Sequence, residues 1–204
     1  MDDKSLAELL IQPAPVSAPG LLGCLLSANG VVIRLTEVEA YAGSGGDPAS
    51  HAYRGRTRRN EAMFGPPGTL YMYFTYGMHW CANVCCEPIG TASAILLRAG
   101  EVVSGVELAT ARRRGVLPRD LARGPARLVE ALGLGRAANG TSVLDGHGPL
   151  TLFAPDRATC GLVRSGPRVG IAVAADRPWR FWLDGEPTVS AYRRSPRAPA
   201  RTTD

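Results

Sequence analysis

A chain of 204 residues, 45% hydrophobic and 20% charged, can bury a core as one domain, and no apolar run approaches the roughly 18 residues that a membrane span requires. Its formal charge of +5 is built from 22 Arg and a single Lys, Lys4. Codon bias explains most of that preference, but the planar guanidinium also suits phosphate recognition. The acidic start Met1-Asp-Asp-Lys-Ser does not fit the basic first region of a secretory leader. With five cysteines, an odd number, reduced thiols and a cytoplasmic location are expected.

In chain order, residues 1–10 predict a short helix, with Ser5 as N-cap for Leu6, Leu9 and Leu10. Gln12 to Gly20 carries three prolines and predicts a loop. Asn29-Gly30 is a hairpin-turn signal, followed by a strand over Val31 to Tyr41. Ala42 to Pro67, rich in Gly, Pro, Ser and Arg, predicts a long irregular segment with one helical turn at Asn60 to Phe64. Leu70 to Cys86 predicts a second hairpin with Tyr76 near its tip. A strand over Ser93 to Arg98, a helix over Val102 to Arg114 and another over Ala126 to Leu132 follow. Gly140 to Leu152 is turn-rich, and Arg168 to Ala174 and Trp179 to Leu183 predict closing strands. Strands, then helices, then strands make the fold class α+β. The expected organisation is an N-terminal helix and loop (1–16), one principal domain (17–192) and a disordered tail (193–204).

Two constellations carry chemistry. Tyr71 and Tyr73 share one face of their strand, with Leu70, Met72 and Phe74 on the other. Such a face is either half-buried core or a platform that stacks flat rings, with Tyr76 as a wedge. Glu37, Glu39 and Tyr41 share a face of the earlier strand. Glu is depleted in strands, so the pair is either a salt-bridged solvated face or a general base beside a ring-binding surface. His51 sits in the long loop, where a single His is either exposed and inert or, following Tyr41 closely, able to return to the same pocket. Asn83 is a polar residue among Trp80, Cys81 and Val84, and Arg98 ends an apolar strand, where a carboxylate partner is expected. Arg54 to Arg59 and Arg112 to Arg114 are basic runs that are either solvated or placed for a phosphate backbone. The cysteine spacing does not match a zinc site.

Taken together and in order, Glu37-Val-Glu-Ala-Tyr41, His51, Met63-Phe64, Pro67-Gly-Thr-Leu-Tyr-Met-Tyr73, Tyr76-Gly-Met78, Asn83, Leu96-Leu-Arg98, Gly124-Pro125 and Pro167-Arg-Val-Gly-Ile171 resemble the alkyladenine (3-methyladenine) DNA glycosylase family. The resemblance runs from about residue 17 to 190. It implies a single mixed domain around a curved antiparallel sheet, with flanking helices and a protruding hairpin.

The resemblance also implies roles. Glu39 matches the general base that activates water for attack on C1′ of the deoxyribose, and Arg98 a residue that helps hold that water. Tyr41, His51 and Tyr73 match walls of the base pocket, Tyr76 the side chain that fills the gap in the duplex, and Asn83 the group that crowds the 2-amino of guanine. The implied activity is removal of 3-methyladenine, 7-methylguanine or hypoxanthine from double-stranded DNA. It would use no cofactor or metal and no lyase step, and the protein would be a monomer without a membrane partner. Two other readings are a glycoside hydrolase using Glu37 with Glu39, and a non-catalytic single-strand binding module using Tyr71, Tyr73 and Tyr76.

Overall fold

The computed structural model describes residues 3–75, 77–154 and 161–199. Tyr76 and Cys160 therefore lie outside the described residues, as do residues 200–204 of the expected tail. The architecture is α+β, as expected. Eight antiparallel strands form one curled sheet: β1 Leu25–Ala28, β2 Val31–Tyr41, β3 Leu70–Thr75, β4 His79–Cys86, β5 Ser93–Ser104, β6 Thr151–Phe153, β7 Val163–Gly166 and β8 Arg180–Leu183. The helices are α1 Asp3–Leu10, α2 Ala14–Ser17, α3 Val106–Arg112 and α4 Pro125–Ala131. Among the described residues no helix is long and apolar enough to cross a membrane.

β2 organises the sheet. One edge pairs along its length with β5. The other edge is shared: β1 pairs with residues 31–34 and β8 with Glu37, Val38 and Glu39. The sheet therefore forks, and the fork coincides with a bulge, since Leu35 pairs with Gly100 and Glu37 with Ala99, leaving Thr36 as the extra residue. An extra residue reverses which parity faces which side. Val31, Ile33 and Leu35 enter the main core before the bulge, and Val38 and Ala40 after it. Glu37 and Glu39 are thereby turned away from the main core.

The main core lies on one face of the sheet. Leu6 and Leu10 of α1, Leu128 and Val129 of α4, and Leu70, Met72, Ala82 and Val84 of the hairpin all enter it. A smaller cluster of Ala52, Met63, Tyr71, Cys85, Ala92 and Ala94 lies apart, with Tyr73 packed against it. This split follows the alternation expected for β3.

Several elements differ from expectation. α1 begins at Asp3, so Ser5 lies inside its first turn and is not its N-cap. The proline segment is helical. Pro13 occupies the cap position, and Pro15 and Pro19 fall in first turns, where a missing N–H costs no bond. β5 runs on to Ser104 and the following helix starts only at Val106, because Val102 pairs with Ile33 and Ser104 with Val32. The turn-rich stretch ends in β6, which runs one residue past it to Phe153 and pairs with β1.

Residues 168–174 are not a strand. The strand lies earlier, over Val163–Gly166, and stops at Pro167, which has no N–H to give a ladder. The second basic run is structural in part. Arg112 donates to the carbonyls of Ala131 and Asn29, and Arg113 pairs with Glu130. With Asn29 Nδ2 donating to Leu132 O, these contacts close the C-terminal end of α4 against the Asn29-Gly30 turn.

Gly105 joins β5 to α3 at φ +71°, and an added Cβ would stand 2.1 Å from the Gly30 carbonyl oxygen. Gly115 has φ +73° and open space. A left-handed non-glycine residue costs about 1–2 kcal/mol. Gly115→Ala should lose about that much in urea unfolding, and Gly105→Ala clearly more, because backbone must move. Equal losses would contradict this packing.

Candidate active site

Where β2 ends, the sheet, the 42–67 loop and the segment after Pro167 enclose a cavity of about 380 Å³. That is the size range of sites for small ligands. Its lining includes Glu39, Tyr41, His51, Tyr73, Asn83 and Arg98. All the sequence-predicted site residues except Tyr76, which is outside the described residues, are thus in one place.

The carboxylates have different surroundings although both are fully buried. Glu37 accepts from Arg98 Nε at 2.8 Å, Arg180 Nε at 2.6 Å, and the Ser190 N–H and Oγ at 2.7 and 3.0 Å. It does not line the cavity. A hydrolase that uses Glu37 and Glu39 as an acid–base pair is therefore ruled out by access. Glu39 lines the cavity. One oxygen accepts from Tyr41 OH at 2.9 Å and the other from the Val169 N–H at 2.7 Å, while Arg98 Nη1 stands 3.4 Å away. Arg98 is thus anchored on Glu37, and on Ser190 Oγ at 3.1 Å, while one nitrogen reaches toward Glu39.

The rings form the rest of the wall. His51 Nδ1 and Tyr71 OH share a hydrogen bond of 3.1 Å. The His51 and Tyr73 rings are perpendicular, 4.7 Å apart, and Tyr71 stacks on Tyr73 at 5.9 Å. Desolvation holds the tyrosines protonated: it pushes Tyr71 up to about 12 and Tyr73 higher, and Tyr41 is raised by burial and by the adjacent Glu39 charge. Asn83, opposite Tyr71 in the hairpin, donates Nδ2 to the Tyr71 carbonyl at 3.1 Å, which fixes its amide.

The loop that carries His51 is fastened at both ends. Asn60 donates to the carbonyls of His51 and Gly55 and accepts from the Thr57 N–H. At the other end Asp47 accepts from the Ala49 N–H and forms a bidentate pair with Arg168. Asp47, Arg168, Val169, Arg180 and Ser190 were not expected in or around the site. Val169 was hidden because residues 168–174 read as a strand, and nothing in the spacing links Asp47 to a residue 121 positions later. Among the described residues no three His, Cys, Asp or Glu side chains group as a metal would need. Cys24, Cys81, Cys85 and Cys86 are free thiols.

His51 is held below its ordinary titration range, by desolvation first and by the Arg59 cation second. The folded state then binds this proton less readily than the unfolded chain. Its contribution to stability is present above the unfolded value of about 6.5 and is lost as pH falls toward the folded one. Ring-proton NMR should show His51 titrating below about 6.5, and Arg59→Ala should move it part of the way up. A midpoint at or above 6.5 would contradict this environment.

A profile of the methylpurine-DNA glycosylase family matches residues 8–187. A Nocardia farcinica protein bearing the name "Putative 3-methyladenine DNA glycosylase" is 51% identical over 204 residues, covering 98% of this chain and 96% of its own length. Proteins with the same name from Mycobacterium tuberculosis, 52% identical over 199 residues (95% and 96% covered), and Frankia casuarinae, 50% identical over 198 residues (92% of each), are similarly close. The chain belongs to the methylpurine-DNA glycosylase family.

Proposed function

We propose that this protein removes alkylated or deaminated purines of the 3-methyladenine, 7-methylguanine and hypoxanthine class from duplex DNA. Glu39 activates water for attack on C1′, and an intact abasic strand is left. The observation that carries the reading is Glu39 itself: a buried carboxylate, not saturated by arginines, that faces a ring-lined cavity. Family membership makes DNA the polymer substrate.

The chemistry follows from the setting. C1′ and the base are inaccessible inside a stack, so the nucleotide is extruded at a cost of a few kcal/mol. Tyr41, Tyr73 and His51 receive the base. The negative faces of the aromatic rings favour a cationic alkylpurine by about 0.5–2 kcal/mol each. Arg98, anchored through Nε on Glu37, offers Nη1 to a water beside Glu39. Glu39 takes the proton of that water as the C1′–O bond forms and the C1′–N bond breaks, with the electron pair leaving on the base. Tyr76 supplies the wedge that fills the vacated stack. Arg54 and Arg58 are exposed and without ion-pair partners among the described residues, which suits a phosphate contact.

Direct water attack needs no amine. The single lysine, Lys4, belongs to the N-terminal helix, so a Schiff-base lyase step is not expected. Borohydride trapping on lesion DNA should give no covalent adduct.

Glu39→Gln should retain DNA binding and lose about 10²–10⁴-fold in base release, because an amide cannot accept the proton. Chromatography of free base released from alkylated duplex DNA measures this, and full activity would sink the assignment. Asn83→Ser should raise excision of normal guanine relative to hypoxanthine, by removing the fixed amide that crowds the purine 2-position. An unchanged ratio would make Asn83 structural.

A further inference from the structure

Arg168 is among the largest fully buried side chains of the protein, at 1% exposure. An arginine is rarely placed there unless it is paired and hydrogen-bonded. Its partners come from the pieces that build the cavity. Both terminal nitrogens donate to Asp47, in the loop that leads to His51, and Nη1 also donates to Ala40 O at 2.9 Å, at the end of β2. The guanidinium plane lies over the Tyr41 ring, 4.5 Å from its centroid, and 5.2 Å from that of Trp179. Trp179 in turn accepts the Ala40 N–H and carries Arg177 4.6 Å from its ring. The next residue, Val169, gives its N–H to Glu39 at 2.7 Å. Nε is buried without a partner among the described residues. The fork is spent on tying these segments together, and that nitrogen is left over.

We propose that Arg168, with Asp47 as counter-ion, is a positioning residue that holds Tyr41, Glu39 and the His51 loop in one reactive arrangement. This inference rests on the reading of Glu39 as general base. Arg168 does not line the cavity, whereas Tyr41, against whose ring it lies, does. Its action is transmitted by three contacts: the plane behind Tyr41, whose hydroxyl donates to Glu39; the peptide bond to Val169, whose N–H donates to the other Glu39 oxygen; and the bidentate pair with Asp47. Lysine cannot replace it, since an ammonium has neither the fork nor the plane.

Removing Asp47 would leave Arg168 buried without a carboxylate, and removing Arg168 would leave buried Asp47 only the longer 3.9 Å approach of Arg177, so the test uses the double variant Asp47→Asn/Arg168→Met, which removes both buried charges. Single-turnover excision of hypoxanthine and the dissociation constant for a duplex carrying an abasic site are measured per folded molecule. The expected result is a fall of about 10- to 100-fold in the excision rate, the scale of a misplaced reacting group, with abasic-duplex binding unchanged. Arg168→Lys should show the same split and recover little of the rate. If the double variant does not fold, the lysine variant is read by the same criteria. A wild-type rate per folded molecule, or rate and binding falling together, would overturn the proposal. Full excision by Glu39→Gln would instead overturn the reading it rests on. Loss in that variant, with no effect of Arg168, would overturn this inference alone.

Discussion

The structure depends on how two fully buried carboxylates, two residues apart on one strand face, are kept from destroying the fold. A buried charge is tolerated only when it is paired and hydrogen-bonded. Glu37 is satisfied by Arg98, Arg180 and Ser190, drawn from β5, β8 and the segment beyond it. Those bonds draw the closing strands onto β2. Glu39 is satisfied more sparingly, by a hydroxyl, a peptide N–H and the far end of an arginine already anchored on its neighbour. The first carboxylate is a fastening, and the second faces the cavity and can accept a proton.

The bulge at Thr36 makes that division possible. Without the extra residue, the parity that places Ile33 and Leu35 in the main core would send Glu37 and Glu39 there as well. With it, Val38 and Ala40 fill the core, and the glutamates and Tyr41 face the hairpin, the long loop and the segment after Pro167. Arg168 and Asp47 then fasten the rear of Tyr41, much as Arg98 and Arg180 fasten Glu37. Buried arginines are the recurring device of this site.

Much of this was legible in the sequence, for identifiable reasons. Period-2 alternation is local, so the shared face of Glu37, Glu39 and Tyr41 and the two faces of β3 could be read directly. Asn29-Gly30 fixed its hairpin because both residues take positive φ, 48° and 80°. The ordered motifs brought His51, Asn83 and Arg98 to the same place. What stayed hidden was set by distant partners. The strand over Ser93 to Arg98 continues because Val102 and Ser104 find Ile33 and Val32. Residues 168–174 fail as a strand because Pro167 has no N–H for a ladder, the Val169 N–H goes to the Glu39 side chain and the Gly170 N–H to the distant Arg193 carbonyl. The Arg112–Arg114 run looked free for phosphate, yet Arg112 closes a helix and Arg113 is paired.

On the proposed mechanism, Glu37 holds the fold while Glu39 is kept for chemistry. Urea unfolding of Glu37→Gln and Glu39→Gln, measured side by side, separates the two roles. Loss of the Glu37 charge takes from buried Arg180 its carboxylate partner and leaves Arg98 only the longer approach to Glu39, and should cost about 3–5 kcal/mol. Loss of the Glu39 charge removes one of two accepted hydrogen bonds and the 3.4 Å approach of an arginine that keeps Glu37, and should cost less, about 1–3 kcal/mol. Equal losses, or a larger loss at Glu39, would contradict this division of labour.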